Sequence, residues 1–367
     1  MMWRSGTVKA LGKSWGQAQE CQVLLEDGQE ARALAYFRIV GVPSVGDRVL
    51  LTAAAVARKL GTGGYLMIAA IPDRLPPDPE AGPGHIVKAR YTPLQYMTLG
   101  ADEQESPWHE LLAEADSVDG MPVVVADLHS ALPAAVAAIR ARRPEARIAY
   151  IMDDGGALPV WFSRTCTELT EREHILGTIT ARQAFGGELE TVNAHTALLA
   201  ARLVWDADIA IISQGPGNLG TGTKWGFSGT AVGEAVNAVN TLGGHAIALL
   251  RMSDGDRRDR HFGLSHHSST ALSRVALSPA TCPVPDFAEN DELSQLVTAQ
   301  TRGVLDAQLG ELFACPRLVR HDVSTAGLTR VLEGSPVRLS TMGRGLREDP
   351  LSFLAAGAAG YAAAELI

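Results

Sequence analysis

The sequence predicts an α/β protein: a doubly wound, mostly parallel, Rossmann-like sheet preceded by a small N-terminal β-barrel. Three observations carry this. From residue 121 onward, short apolar runs alternate with helical stretches five times, the pattern of a parallel sheet with helical crossovers. Before residue 72, short strand-like runs are separated by turn signals, with little helix-length periodicity to compete. Between them in character is the stretch 206–239, DADIAIISQGPGNLGTGTKWGFSGTAVGEAVNAV. It leads a buried strand into a glycine-dense loop and then a small-residue helix. Glycines let backbone N–H groups approach one spot, and the helix N-terminus adds partial positive charge, so this is a recipe for an anion cradle.

Size and composition fit this architecture. A chain of 367 residues can bury more than one core, and 46% apolar with 20% charged residues is ordinary for a soluble globular protein. Net charge is −9, and the acidity is uneven: residues 1–95 carry 11 Lys/Arg against 8 Asp/Glu, the remainder 21 against 33. An acidic main body argues against nucleic acid or an anionic membrane as partner. Cys21, Cys166, Cys282 and Cys315 lie far apart with no CxxC pair, so no cysteine zinc site or redox motif is indicated. A reducing cytoplasm is the simplest location. Arg4 and Lys9 are followed by no apolar core of signal-peptide length, and the apolar tail 351–367 is too short and weak for a span. It reads as a packed terminal helix in which Gly357 and Gly360 permit close contact.

The elements follow in order. Barrel strands are expected at 7–11, 21–25, 31–37, 48–52 and 65–70, with turns at 26–28, 43–47 and 61–64 and a short helix at 53–60 as the exception. This unit reads either as a ligand- or nucleic-acid-binding barrel or as a structural, oligomerising cap; a homo-oligomer is compatible with the second reading. Residues 72–84, IPDRLPPDPEAGP, form a Pro-rich connector, which sets the expected domains at 1–71 and 85–367. Residues 85–95 suggest a strand with Lys88 and Arg90 on one face. Sheet strands are expected at 122–126, 147–152, 177–180, 209–213 and 245–250. Helices are expected at 131–142, 160–174, 188–204 and 230–242. Further on, a helix starts near residue 265, 276–284 is extended, 291–313 is one long helix, 317–321 is a strand and 352–367 the last helix.

In a parallel sheet ligands bind in the crevice outside the carboxyl ends of the strands, so the residues that follow each strand are the candidates. They are Asp127 and His129; Asp153 and Asp154; Arg182 and Gln183; the loop Gly215, Gly217, Asn218, Gly220, Thr221, Gly222, Thr223 and Lys224; and Arg251, Ser253, Asp254 and Asp256 ahead of a basic run to Arg260.

Each has a bland alternative. Residues 215–220 match G-x-G-x-x-G after a strand, but the helix does not open at the third glycine and no acid closes the next strand, so a dinucleotide is disfavoured. Lys224 is followed by Trp225, so the loop is not a Walker A motif. The loop holds a phosphate or carboxylate, or is a tight structural turn. Asp127, His129 and Asp153 (or Asp154), joined by His266 or His267, form a candidate set for a divalent metal ion such as Mn, Fe or Zn, since residues two apart in an extended segment share a face; otherwise Asp127 caps the following helix. His266 and His267 are the densest imidazole site, with one expected to face the cleft as general acid or base and the other to pack or be solvated. His195 reads as a core histidine, and Lys224 as an anion clamp or a solvated charge.

At GTGGYLMIAA, HIVKARYTPLQ, ADLHSALP, ISQGPGNLGTGTKWGFSG and GLSHHS the chain resembles a bacterial family called DUF3866, over nearly its whole length. The family is uncharacterised, so the resemblance implies no activity, cofactor or catalytic residue.

The functional expectation is a cytoplasmic enzyme acting on a small anionic, phosphorylated or carboxylated, metabolite. In it, the 215–224 loop holds the anion, Asp127, His129, Asp153 and Asp154 bind metal or move protons, and His266 or His267 serves as acid or base. The rival is a non-catalytic metabolite sensor or scaffold, which needs the glycine loop but not the histidines.

Overall fold

The computed structural model describes residues 1–60 and 63–367, and the chain divides into two compact units. The first comprises residues 1–98 with 161–167; the second comprises 99–160 and 168–367.

The first unit is a closed five-stranded barrel of β1 (Trp3–Trp15), β2 (Ala18–Leu25), β3 (Glu30–Tyr36), β4 (Arg48–Thr52) and β5 (Leu66–Ala70), in the order β1-β2-β3-β5-β4. Closure works because β1 is long enough to pair with β2 along one edge and β4 along the other, bending at irregularities between Val8 and Ala10 and between Leu11 and Ser14. Alternate residues point inward, and Val8, Cys21, Val23, Ala33, Val49, Leu51 and Ile68 fill the core. The helix expected at 53–60 shrinks to Ala54–Ala57. The Gly61–Thr62 part of the expected turn lies outside the described residues. In 85–95 only β6 (Ile86–Lys88) is extended, and it pairs with β7 (Tyr96–Thr98).

The second unit is built on an eight-stranded sheet. Its strands are β8 (Pro122–Ala126), β9 (Ile148–Asp153), β10 (Thr178–Thr180), β11 (Leu189–Glu190), β12 (Ile209–Gln214), β13 (His245–Ala248), β16 (Ala280–Asp286) and β17 (Leu318–Ser324). A small hairpin of β14 (Met252–Ser253) and β15 (Gly263–Leu264) lies between β13 and β16 in the chain. The sheet order is β11-β10-β9-β12-β8-β13-β16-β17, and every neighbouring pair is parallel. The α/β class, the parallel sheet and the preceding barrel are therefore as the sequence predicts. β8, β9 and β12 are buried at every residue, which is why they read as continuous apolar runs instead of alternating ones.

Three of the helices expected after residue 121 differ, and one helix is added. Residues 188–204 are not one helix: Leu189–Glu190 adds an edge strand, and the helix Ala194–Leu199 begins only where Asn193 caps it by accepting the His195 and Thr196 amides. Residues 160–174 hold a short 3-10 turn, Val160–Phe162, and a helix at Arg164–Glu171. Residues 291–313 are two helices, Glu292–Leu296 and Ala299–Leu312, because Thr298 is extended and caps the second by accepting the Thr301 amide. The helix Leu328–Glu333 has no counterpart in the sequence reading.

The terminal helix, Pro350–Ala364, is buried at every position but Ser352. It packs on the helix Leu132–Arg142 so closely that a Cβ at Gly360 would collide with the Ala135 carbonyl. This explains a uniformly apolar helix without a membrane: it is a core helix. Among the described residues no helix is long and apolar enough to cross a membrane.

Candidate functional site

The strand order brings three chain exits together. β12 returns between β9 and β8, and β13 continues on the other side of β8. The carboxyl ends of β12, β8 and β13 are thus consecutive, at the point where the winding reverses and crevices open in such sheets. Gln214 ends β12, Asp127 follows β8, and Arg251 follows β13.

Asp127 is the centre of what gathers there. It is 3% exposed and accepts hydrogen bonds on both oxygens. Oδ1 takes the Asn218 Nδ2 amide at 2.7 Å, and Oδ2 takes Arg251 Nη1 at 2.8 Å. His267 Nδ1 is 3.0 Å from the same Oδ2. Burial opposes ionisation of Asp127, but the His267 hydrogen bond and the Arg251 charge outweigh it and hold the carboxyl below its usual range. Gly229 is required beside it, since a Cβ there would strike the carboxylate.

His267 lies flat on Phe227, with ring centroids 3.9 Å apart and planes 11° from parallel. It sits near the start of the helix His266–Thr270, where Ser265 caps by accepting the His267 amide at 3.2 Å. The hairpin β14–β15 delivers a third imidazole: His261 Nδ1 is 2.8 Å from Ser265 Oγ. Its ring centroid lies 5.2 Å from that of His266 and 5.0 Å from that of His267. The adjacent histidines therefore both turn to one place, against the expectation that only one would. His266 opens the helix directly after the extended Ser265, so the two rings leave the helix end and bend toward His261. His266 Nε2 is buried with no hydrogen-bond partner. Burial, with the charges of Arg251 and Arg258 adding, pushes His261 down to about 3 and, with neighbouring His267, lowers His266 as well.

The other sequence candidates fall elsewhere. His129 Nδ1 bonds the Tyr150 hydroxyl at 2.8 Å, Tyr150 in turn meets Ser213 Oγ at 3.0 Å, and burial pushes His129 down to about 4. Asp153 accepts from Arg182 Nε at 3.0 Å, and burial raises its pKa. Asp154 accepts the Gly156 and Ala157 amides and so shapes its own turn. Asp127, His129 and Asp153 are thus each engaged by different partners and are not gathered as a ligand set; among the described residues the cluster that is gathered is His261, His266 and His267. His195 is exposed, not core.

The glycine loop is a small structure of its own. Leu219 N donates to Ser228 Oγ, Thr221 N to the Gly226 carbonyl and Gly226 N to Thr223 Oγ1, so Thr221 and Thr223 close the loop. Gly215 is buried against Met152 and Leu158. Gly217, at φ +111°, turns the chain so that Asn218 reaches Asp127. Gly220, Gly222 and Lys224 are exposed, and a Cβ at Gly222 would stand 3.9 Å from the Arg260 guanidinium. The loop and the basic run after β13 therefore meet.

One residue of the cluster escaped the sequence reading, and two more, Arg251 and Gln214, stand in it only as residues that follow a strand. His261 stands five before His266, an H-x4-H-H spacing that reads as a ligand pattern once noticed. Arg251 is the charge that a buried Asp127 demands. Gln214, 2% exposed, has neither side-chain atom partnered and borders a cavity of about 10 Å³ with Asp153 and Ser213.

No curated protein matches the chain. A family model does match residues 32–360, almost the whole length, under the description "Protein of unknown function (DUF3866)". The chain, with its barrel, its parallel sheet and its histidine cluster at the sheet edge, belongs to the DUF3866 family.

Proposed function

We propose that this protein is a cytoplasmic enzyme that binds a small anionic metabolite at the carboxyl edge of the sheet and reacts it at the His261–His266–His267 cluster. The observation that carries the reading is the buried Asp127–His267 pair. His267 Nδ1 stands 3.0 Å from both Asp127 Oδ2 and Arg251 Nη1; in the Nδ1–H tautomer the carboxylate accepts that proton, orients the ring and leaves Nε2 as the acceptor. That arrangement suits a reaction in which water is activated or a proton is removed. Arg251 keeps Asp127 ionised throughout. An anion site nearby is supported by the exposed Gly217 and Lys224 on the glycine loop and by Arg260 beside Gly222.

The test is a mass-spectrometric screen of full-length protein against pooled phosphorylated and carboxylated metabolites. One compound should be consumed, and His267→Gln should slow its turnover by about 10²–10⁴-fold while circular dichroism shows a retained fold. Turnover unchanged in His267→Gln would remove the proposal. Tight binding of a metabolite that is never consumed would favour a sensor instead.

A further inference from the structure

We infer that His261, His266 and His267 form a three-imidazole site for a divalent transition metal of the zinc type, with a fourth position open to water or substrate. The inference rests on the reading above for the place of the cluster in the reaction, but not for its binding; a His267 Nε2 that ligates the ion is not also the base, so in the loaded protein the ion would take over the activation of water.

Geometry carries it. One ring nitrogen from each histidine lies within 4.8 Å of the others. Tetrahedral zinc with Zn–N of about 2.0–2.1 Å sets its ligand nitrogens roughly 3.4 Å apart, so closing on an ion takes ring shifts on the order of 1 Å. Two of the three rings are already oriented through Nδ1, His267 by Asp127 and His261 by Ser265. In the Nδ1–H tautomer both donate to these oxygens and both Nε2 lone pairs can ligate; Arg251 Nη1, 3.0 Å from His267 Nδ1, then has Asp127 Oδ2 as its acceptor. This is the supporting arrangement that metal-bound histidines have, a carboxylate or hydroxyl on the far nitrogen. The third ring, His266, has its Nε2 buried and without a partner, which costs free energy unless something binds it.

Two of the nearby guanidinium groups are countered, Arg251 by Asp127 and Arg258 by Asp256, while Arg260 also acts on His266. Three neutral imidazoles with no cysteine select for zinc, copper, nickel or cobalt over magnesium or calcium. Three protein ligands, not four, describe a site that keeps one coordination position for chemistry. A metal there would supply Lewis acidity or a bound water of lowered pKa at neutral pH.

Untagged, full-length, chelator-stripped protein titrated with Co(II) should develop a visible d–d band that saturates at about one equivalent, and Zn(II) should abolish it. Elemental analysis after dialysis should find about one zinc per chain. His261→Asn and His266→Asn should each weaken binding at least tenfold, and Asp127→Asn by about 10–100-fold through the lost support of His267. No band and no retained zinc in the wild type, or wild-type affinity in both His261→Asn and His266→Asn, would overturn the inference. His266 is only half-buried, so that variant answers even if the others fold poorly. The two proposals fail separately. Turnover by stripped protein that still needs His267 removes the metal and keeps the enzyme. Stoichiometric zinc without turnover of any screened metabolite does the reverse.

Discussion

Asp127 Oδ2 and His267 Nδ1 stand 3.0 Å apart although 140 positions separate them in the chain, and Arg251 Nη1 shares that oxygen at 2.8 Å. Carboxylate, guanidinium and imidazole are all buried. In a low-dielectric site such a set holds only while it is complete, and this makes its dissection informative.

Asp127→Asn leaves the Arg251 guanidinium buried without a counter-charge. Removing one partner of a buried ion pair costs about 3–5 kcal/mol, so the denaturant midpoint should fall accordingly. Adding Arg251→Met should recover part of the loss. A double-mutant cycle with no coupling between the two positions would contradict the pairing.

Two glycines should respond to alanine in opposite directions. At Gly229 the new Cβ meets the Asp127 carboxylate, and an overpacked buried site loses about 1–3 kcal/mol. Gly303 is exposed in the helix Ala299–Leu312 with open space around it, and alanine there should gain roughly 0.5–1 kcal/mol. Urea unfolding of both variants checks the pair; equal effects would show the contact at Gly229 to be unimportant.

Gly217→Val probes the loop. The exposed position has no neighbour within reach, but its φ of +111° is one a β-branched residue rarely adopts. The strain should cost about 1–3 kcal/mol of stability, and pyrophosphate or citrate affinity, read by calorimetry, should drop about tenfold or more as the loop backbone shifts. Unchanged affinity for an anion that the wild type binds would place the cradle elsewhere.

A second acidic pair lies beside the hairpin. Asp254 is pushed up to about 7, by burial first and then by the neighbouring Asp349, which is fully buried and bonded to Ser253 and Arg344. A carboxyl whose folded value lies above its unfolded one, about 3.9, favours the folded state most when protonated. Its contribution is complete below pH of about 4 and lost as pH rises through about 7. Asp254→Asn keeps the oxygen that accepts the Leu351 amide and removes the titration. The variant should therefore melt higher than wild type at pH 8, with a smaller difference at pH 5. A difference independent of pH would mean Asp254 is not held protonated.

The fold was largely legible because strand burial leaves a mark in composition. VVV in β8 and IAII in β12 are the continuous apolar runs that interior strands of a parallel sheet carry. Local capping defeated the longer helices: nothing in hydropathy distinguishes a helix at 188–204 from a strand followed by Asn193 and a cap. At the candidate site, some of the residues that follow the strands meet and others do not. Asp127, Asn218 and both adjacent histidines lie together, whereas His129, Asp153 and Asp154 serve neighbours of their own.

Periodicity and turn chemistry alone determined that this chain makes a barrel and a parallel sheet, with polar side chains at the strand exits. Only the tertiary structure decided which exits meet. Strand order is a long-range property: β12 slips between β8 and β9 through contacts that no local window records. That one placement joins Asn218, Asp127, Arg251 and three histidines, because side chains far apart in sequence become neighbours only when their strands do.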